Sequence, residues 1–180
     1  RLVSGPQPDV AQAALHIVRS LVDADPVRSA LLNESVLPPL LRCLRPAMPA
    51  EGVEPAAAAV AVLMKTEPQC CQALVDAQGV PTLVQLLGRG AGSLAAHSAA
   101  SALASAARDE AAGSEAQARS REAGALEAVL PLLDGVLGGN ASTAATAEAA
   151  CHCLAALCMG SSAITADLRV LGGFQSLVAL

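Results

Sequence analysis

Aromatic side chains are almost missing from this chain of 180 residues: there is one phenylalanine, Phe174, and no tryptophan or tyrosine. Platforms that hold single-stranded nucleic acid stack bases on aromatic rings, so that mode is excluded. Basic residues are scarce too. Eleven Lys and Arg face 16 Asp and Glu for a net charge of -5, which removes the positive surface that phosphate tracking needs. Nucleic acid is therefore not an expected partner. A membrane span takes about 18 or more consecutive apolar residues. The best stretch, Ala56 to Met64, is half that length and ends at Lys65, so no membrane span is expected. The chain opens on Arg1 rather than Met, shows no signal peptide, and stops at Leu180 inside an apolar run; we expect the parent chain to continue beyond both ends.

What is abundant is alanine, 41 residues, and leucine, 27, within a hydrophobic content of 53% and a charged content of 15%. So apolar a chain has ample material for a buried core. Ala and Leu are also the best helix formers, whereas β-branched and aromatic residues favour strands. The composition predicts an all-α protein.

Six cysteines are present: Cys43, Cys70, Cys71, Cys151, Cys153 and Cys158. The vicinal Cys70-Cys71 pair and the Cys151-x-Cys153 pair do not resemble the staples of a small secreted scaffold. A zinc site from Cys151, His152, Cys153 and Cys158 would need four side chains to converge. On one helix Cys153 is rotated by roughly 200° from Cys151, so the site does not close. The expectation is no metal and no cofactor, with small core thiols in a reducing compartment. Sequons at Asn33 and Asn140 bear on the protein only if it is secreted.

Self-similarity organises the chain. Four segments end one helix and launch a short apolar run: 33–44, 77–87, 122–133 and 172–180. Their matching positions Val36, Gly79, Gly124 and Gly173 stand 43, 45 and 49 residues apart. Glycine there is expected to take the left-handed turn between two helices. Pro38 and Pro81 fall where the next helix begins, where a missing N–H costs nothing. Pro131 falls inside its run and predicts a kink or a delayed helix start. Short helices are expected at Pro26 to Glu34, Pro68 to Ala77, Glu115 to Ala123 and Ser162 to Leu171. Loops are expected at Arg45 to Gly52, Gly88 to Gly92 and Gly135 to Ser142. Long Ala-rich helices follow at Asp9 to Asp23, Val53 to Glu67, Ser93 to Arg108 and Thr143 to Met159.

A short, a medium and a long helix in 43 to 49 residues resembles the armadillo repeat. Glu-Ala-Gly-Ala-Leu at 122–126 and Gly-Val-Pro-Thr-Leu-Val-Gln-Leu-Leu at 79–87 look like that family's second-helix signature. The resemblance covers the whole chain and implies a right-handed α-solenoid of armadillo-type three-helix repeats, with two-helix HEAT repeats as second choice. The units are approximately 1–25 (partial), 26–67, 68–114, 115–161 and 162–180 (partial), in a single array. Each would bury its apolar face on its neighbours. In the first long helix that face is read as Val10, Ala14, Ile17 and Leu21, flanked by Leu15, Val18 and Val22; in the last, as Cys151, Leu154 and Cys158 with Ala147 and Leu157.

The resemblance implies that the long helices line a groove for peptides or partner proteins. Their polar stripes are then the candidate protein-binding residues: Gln12, His16, Arg19 or Ser20, and Asp23; Glu54, Ala61 and Lys65; His97, Ser101, Ser105 and Arg108; Glu148, His152 and Ala156. Nuclear-import adaptors that resemble this fold carry a Trp and, four residues later, an Asn on the stripe. Here the matching pairs are His16/Ser20, Ser101/Ser105 and His152/Ala156, which departs from that mechanism. Enzyme chemistry is not expected. His16, His97 and His152 lie in separate repeats, whereas a catalytic dyad needs hydrogen-bond reach. No P-loop, GxSxG, HExxH or GxGxxG string occurs. Gly88-Arg89-Gly90-Ala91-Gly92 lacks the strand and Lys-Ser/Thr of a phosphate loop and reads as an inter-helix loop. Arg108 to Glu122, rich in both charges, reads as a longer surface loop, with Ser114 or Ser120 open to phosphorylation.

The expectation is a non-catalytic protein-interaction scaffold, bound to other proteins in a large complex. By family analogy this is a cytoplasmic or cytoskeletal assembly, ciliary axonemes among them. The alternatives are the armadillo region of a larger regulatory protein such as a ubiquitin ligase, or a transport adaptor.

Overall fold

The computed structural model describes residues 8–22, 35–45, 50–133 and 141–178, and every regular element among them is a helix. In chain order these are α1 (Pro8–Val22), α2 (Leu37–Cys43), α3 (Ala50–Thr66), α4 (Gln69–Asp76), α5 (Gly79–Leu87) and α6 (Leu94–Arg108). There follow α7 (Gly113–Glu122), α8 (Ala125–Leu133), α9 (Ala141–Cys158), α10 (Ser162–Val170) and α11 (Gly173–Val178). The predicted short helix at Pro26 to Glu34, and Asn33 and Asn140, lie outside the described residues.

The long helices α1, α3, α6 and α9 pack in succession, each against the next. Medium helices α2, α5 and α8 each pack on the long helix that follows, and α7 bridges α5, α6 and α8. Three helices per unit, α4–α6 and α7–α9, rule for the three-helix pattern over the two-helix one. One core runs through the stack from Leu15 to Leu168. Ten of the fifteen residues of α6 are buried, and eight of those are alanines. Methyl-sized side chains let axes close to about 8 Å, the short end of the usual range, so α6 can be sealed on both flanks at once. The leucines fill the spaces between layers: Leu40, Leu63, Leu83 and Leu103 are fully buried, each stabilising by roughly 1.5–3 kcal/mol.

The inter-helix turn departs from expectation. The left-handed residues are Ser35, Gln78, Gly124 and Gly172, so in three units the turn sits one residue before the predicted position. Gly79 and Gly173 serve packing instead. A Cβ on Gly79 would lie 2.5 Å from Leu74 Cδ1 and 3.0 Å from Leu41 Cδ1, and one on Gly173 would run into Leu168. Only Gly124 is both predicted and left-handed, with φ of 75°.

Helix phase needs correcting at both ends of the array. On α1 the core takes Ala14, Leu15 and Val22, with Val18 partly buried, whereas Ile17 and Leu21 are exposed. The side chain of Val10 lies outside the described set. On α9 the buried face is Thr146, Ala147, Ala149, Ala150, Cys153, Leu154, Ala156 and Leu157, while Cys151 and Cys158 are half-buried. Pro131 brings no delay: α8 starts at Ala125, directly after Gly124, and carries Pro131 on its exposed side. The predicted charged loop at 108–122 is mostly helix. Its loop shrinks to a turn at 109–112, closed by the Asp109 carboxylate accepting from the N–H groups of Ala111 (3.1 Å) and Ala112 (2.8 Å). Ser120 is buried on α7, its hydroxyl unpartnered, which leaves it closed to modification; Ser114 is exposed.

In two units the residue seven before the left-handed turn residue reaches back to the end of the preceding long helix. In α4 it is Cys71, whose Sγ donates to the Met64 carbonyl at 3.6 Å. In α7 it is Gln117, whose Nε2 lies 3.3 Å from the carbonyl of Ala107, 3.0 Å from that of Ala156 and 2.9 Å from that of Met159. The last carbonyls of a helix lack intrahelical donors, so these contacts answer a standing need.

Candidate protein-binding face of the long helices

Because α6 is sealed on both flanks, one line of side chains reaches its surface: Leu94, His97, Ser101, Ser105 and Arg108, spaced by three or four. Four of the five are the predicted stripe, and Leu94, three residues before His97, extends it. On α3 the line is Glu54, Ala58, Ala61 and Lys65, with both charged ends exposed. On α9, Glu148 and His152 are exposed as predicted and Ala145 joins them, but Ala156 is buried and Ala155 takes its place. On α1, His16 and Ser20 are exposed and Arg19 is half-buried. Gln12 belongs to α1, but its side chain is outside the described set, as is Asp23.

Two contacts join the lines of α6 and α9. His97 Nδ1 stands 3.2 Å from the Ala145 carbonyl, which accepts when that nitrogen carries the proton. Arg108 Nη2 donates to the His152 carbonyl at 3.2 Å. His152 Nε2 faces Glu148 Oε1 at 3.8 Å along its own helix. The histidines thus engage different groups, and the surface between them consists of methyls and hydroxyls. Such a face offers shallow, distributed contact with charge at its margins.

The charged groups of α7 are engaged elsewhere. Arg119 pairs with Glu115 at 2.8 Å, one turn away. Arg121 reaches across to Asp167 of α10 at 2.5 Å. That hydrogen bond holds the Asp167 carboxyl below the usual carboxylate range. The link is therefore fully present above the ordinary titration range and is lost as pH falls through the lowered value. Both partners are solvent-facing, so it is also weakened by salt.

Cys43, Cys70, Cys71 and Cys153 are core residues. Burial pushes Cys70 and Cys71 up to about 11 and Cys153 to about 12, so at neutral pH they are thiols, not the thiolates that attack or ligate. Among the described residues no group of three His, Cys, Asp or Glu is arranged to hold a metal, and no helix is long and apolar enough to cross a membrane.

Stacked three-helix units, a shared core and a continuous face of long helices define an armadillo-like repeat solenoid. The solved structures it resembles carry that description. Computationally designed armadillo repeat proteins for modular peptide recognition match at 23% identity and a TM-score of 0.83, over 99% of this chain and 71% of theirs. Another designed armadillo repeat protein matches at 24% identity and a TM-score of 0.82, with coverage of 99% and 71%. A third, in complex with the peptide (KR)4, matches at 24% and 0.80, again over 99% and 71%. No family model matches the chain, and no curated protein sequence does. At these identities the likeness is one of fold.

Proposed function

We propose that this chain is a non-catalytic protein-interaction scaffold that holds its partner along the long-helix face. The observation that carries this reading is the unbroken line Leu94, His97, Ser101, Ser105 and Arg108, joined to α9 through Ala145 and His152. Support comes from the designed neighbour whose structure holds a bound peptide. The small side chains argue for a structural subunit of a large cytoplasmic or cytoskeletal assembly over a receptor for one peptide. Ala58, Ala61, Ser101 and Ser105 are small and half-buried and give one anchoring side chain little to grip, so affinity must be spread over a broad contact.

Lys65 is the only lysine in the sequence, and it lies on this face. An amine-reactive crosslinker applied to the protein with its copurifying partners should therefore join them at Lys65. Ser101→Arg with Ser105→Arg, at half-buried positions, should cut partner retention by about tenfold, equivalent to about 1.4 kcal/mol. Undiminished retention in the double variant would sink the reading. So would turnover by the purified chain that disappears on replacing His16, His97 or His152.

A further inference from the structure

Glycine loses more freedom on folding than any other residue, so a glycine in a fixed segment calls for a reason. Most of the described glycines have one. Gly124, Gly160 and Gly172 take positive φ of 75°, 73° and 73°. Gly79, Gly113 and Gly173 sit where a Cβ would run into Leu74, the Ala107 carbonyl and Leu168. The loop between α5 and α6 is different. It reads Gly88-Arg89-Gly90-Ala91-Gly92, and of its three glycines only Gly90, at φ of 89°, is left-handed. Gly88 ends α5 in right-handed geometry, at φ -63° and ψ -6°, and a Cβ there would meet nothing closer than 3.4 Å. Gly92 has no positive φ, and a Cβ there would meet nothing within 4 Å. Both positions have room for alanine.

Between the glycines that the fold does not require stands Arg89. It is exposed, and its side chain makes no hydrogen bond or ion pair with any described residue. Arg108, Arg119 and Arg121 each engage a neighbour. The turn beneath Arg89 is fixed. The N–H groups of Arg89, Gly90 and Ser93 donate to the carbonyls of Leu86, Leu87 and Gly90 at 3.1, 3.2 and 3.1 Å. Leu87 before the loop and Ala95 after it are fully buried. A rigid scaffold thus holds out one long cation whose neighbours on either side have no side chain, an arrangement suited to recognition.

A simple ion pair does not need bare backbone. Arg45 and Arg169 are exposed as well, yet they lie between Leu44 and Pro46 and between Leu168 and Val170. Glycine serves where another surface must come close to the main chain. A pocket that takes in an arginine down to its Cα makes that demand on both sides, and such a pocket belongs to an enzyme that works on the guanidinium. We propose that Arg89 is a methylation site, recognised through the bare backbone at Gly88, Gly90 and Gly92. The modifying enzyme brings a sulfonium methyl donor. One Nη–C bond forms on Arg89, and the S–C bond breaks with its electron pair left on sulfur as a neutral thioether. The displaced N–H proton goes to solvent. The product keeps its charge and loses hydrogen-bond donors, close to where the exposed line of α6 opens at Leu94.

The test incubates the purified chain with methyl-labelled S-adenosylmethionine and an arginine methyltransferase selective for glycine-flanked arginines. Label should enter the folded chain, and peptide mass spectrometry should place it at Arg89. Arg89→Lys should abolish it. Gly88→Ala with Gly92→Ala should lower kcat/KM for the labelling by about tenfold. The same double variant should melt at the same temperature as the parent or higher, because φ and free space at both positions admit alanine. A folded chain that takes no label overturns the proposal, as does label found only at other arginines or only after unfolding. So does a double-alanine variant labelled as fast as the parent, since the glycines are then not what is recognised. A double variant that melts lower also overturns it, because the glycines then serve the fold.

Discussion

The units α4–α6 and α7–α9 build the same backbone from different residues. At the turn between short and medium helix, the first puts Gln78 in the left-handed conformation and follows it with Gly79. The second puts Gly124 there and follows it with Ala125. Where the first closes the preceding long helix with the thiol of Cys71, the second uses the amide of Gln117. A repeat of this kind conserves places to be filled, and the two units divide the demands differently. The first accepts strain at Gln78 and needs room at Gly79. The second avoids the strain and leaves space for a methyl group at Ala125.

That contrast breaks first at the packing glycine. Gly79→Ala places a Cβ against Leu74 and Leu41, both buried, and overpacking of this kind costs about 2 kcal/mol. The converse change, Ala125→Gly, costs about 1 kcal/mol or less, from backbone entropy alone. Urea unfolding of the two variants checks the asymmetry, and equal losses would abolish it. Second comes the helix-end contact. Gln117→Ala removes a donor that serves carbonyls of two helices and should cost about 1–2 kcal/mol, while Cys71→Ala removes a weak thiol donor and costs less from that source. A double-mutant comparison with a variant lacking α10 contacts, such as Asp167→Ala, separates the amide's effect from that of the Arg121 link. The smallest effects lie at the left-handed residue. Gly124→Ala should lower stability by about 1 kcal/mol and Gln78→Gly should raise it by about 0.5 kcal/mol, opposite in sign because one adds a Cβ at a left-handed residue and the other removes one, with chain entropy offsetting part of each. Thermal melts of the pair check the signs.

The fold was legible because Ala and Leu impose helices while Gly and Pro punctuate them at a regular interval. The stripe of α6 was legible because His97, Ser101, Ser105 and Arg108 stand out against an otherwise alanine face. On α9 nothing gives that contrast: alanine, cysteine and leucine surround the helix, so the sequence does not set its phase and Ala156 lies inside. On α1 the apolar Ile17 and Leu21 carry a core signature yet are exposed, since residue chemistry alone does not separate a face turned to its own unit from one turned away. Gly79 and Gly173 misled for a related reason. Glycine serves both positive φ and close approach, and only the positions of Leu74 and Leu168 tell which. Gln117 gave no signal at all, because its partners are main-chain carbonyls of residues 107, 156 and 159.

Gln117 has a consequence for how the array opens. In a linear stack each unit touches only its neighbours, so stability is a sum of unit terms and joint terms. Gln117 holds the joint between the two units, its amide reaching α6 as well as α9, whereas Cys71 crosses the joint before it with one weak thiol donor to α3. The joint held by the amide should then open at higher cost than the one held by the thiol, so the amide hydrogens of α6 and α9 should exchange together more nearly than those of α3 and α6. Under load the array should part first between α3 and α4, where the thiol stands in for the amide.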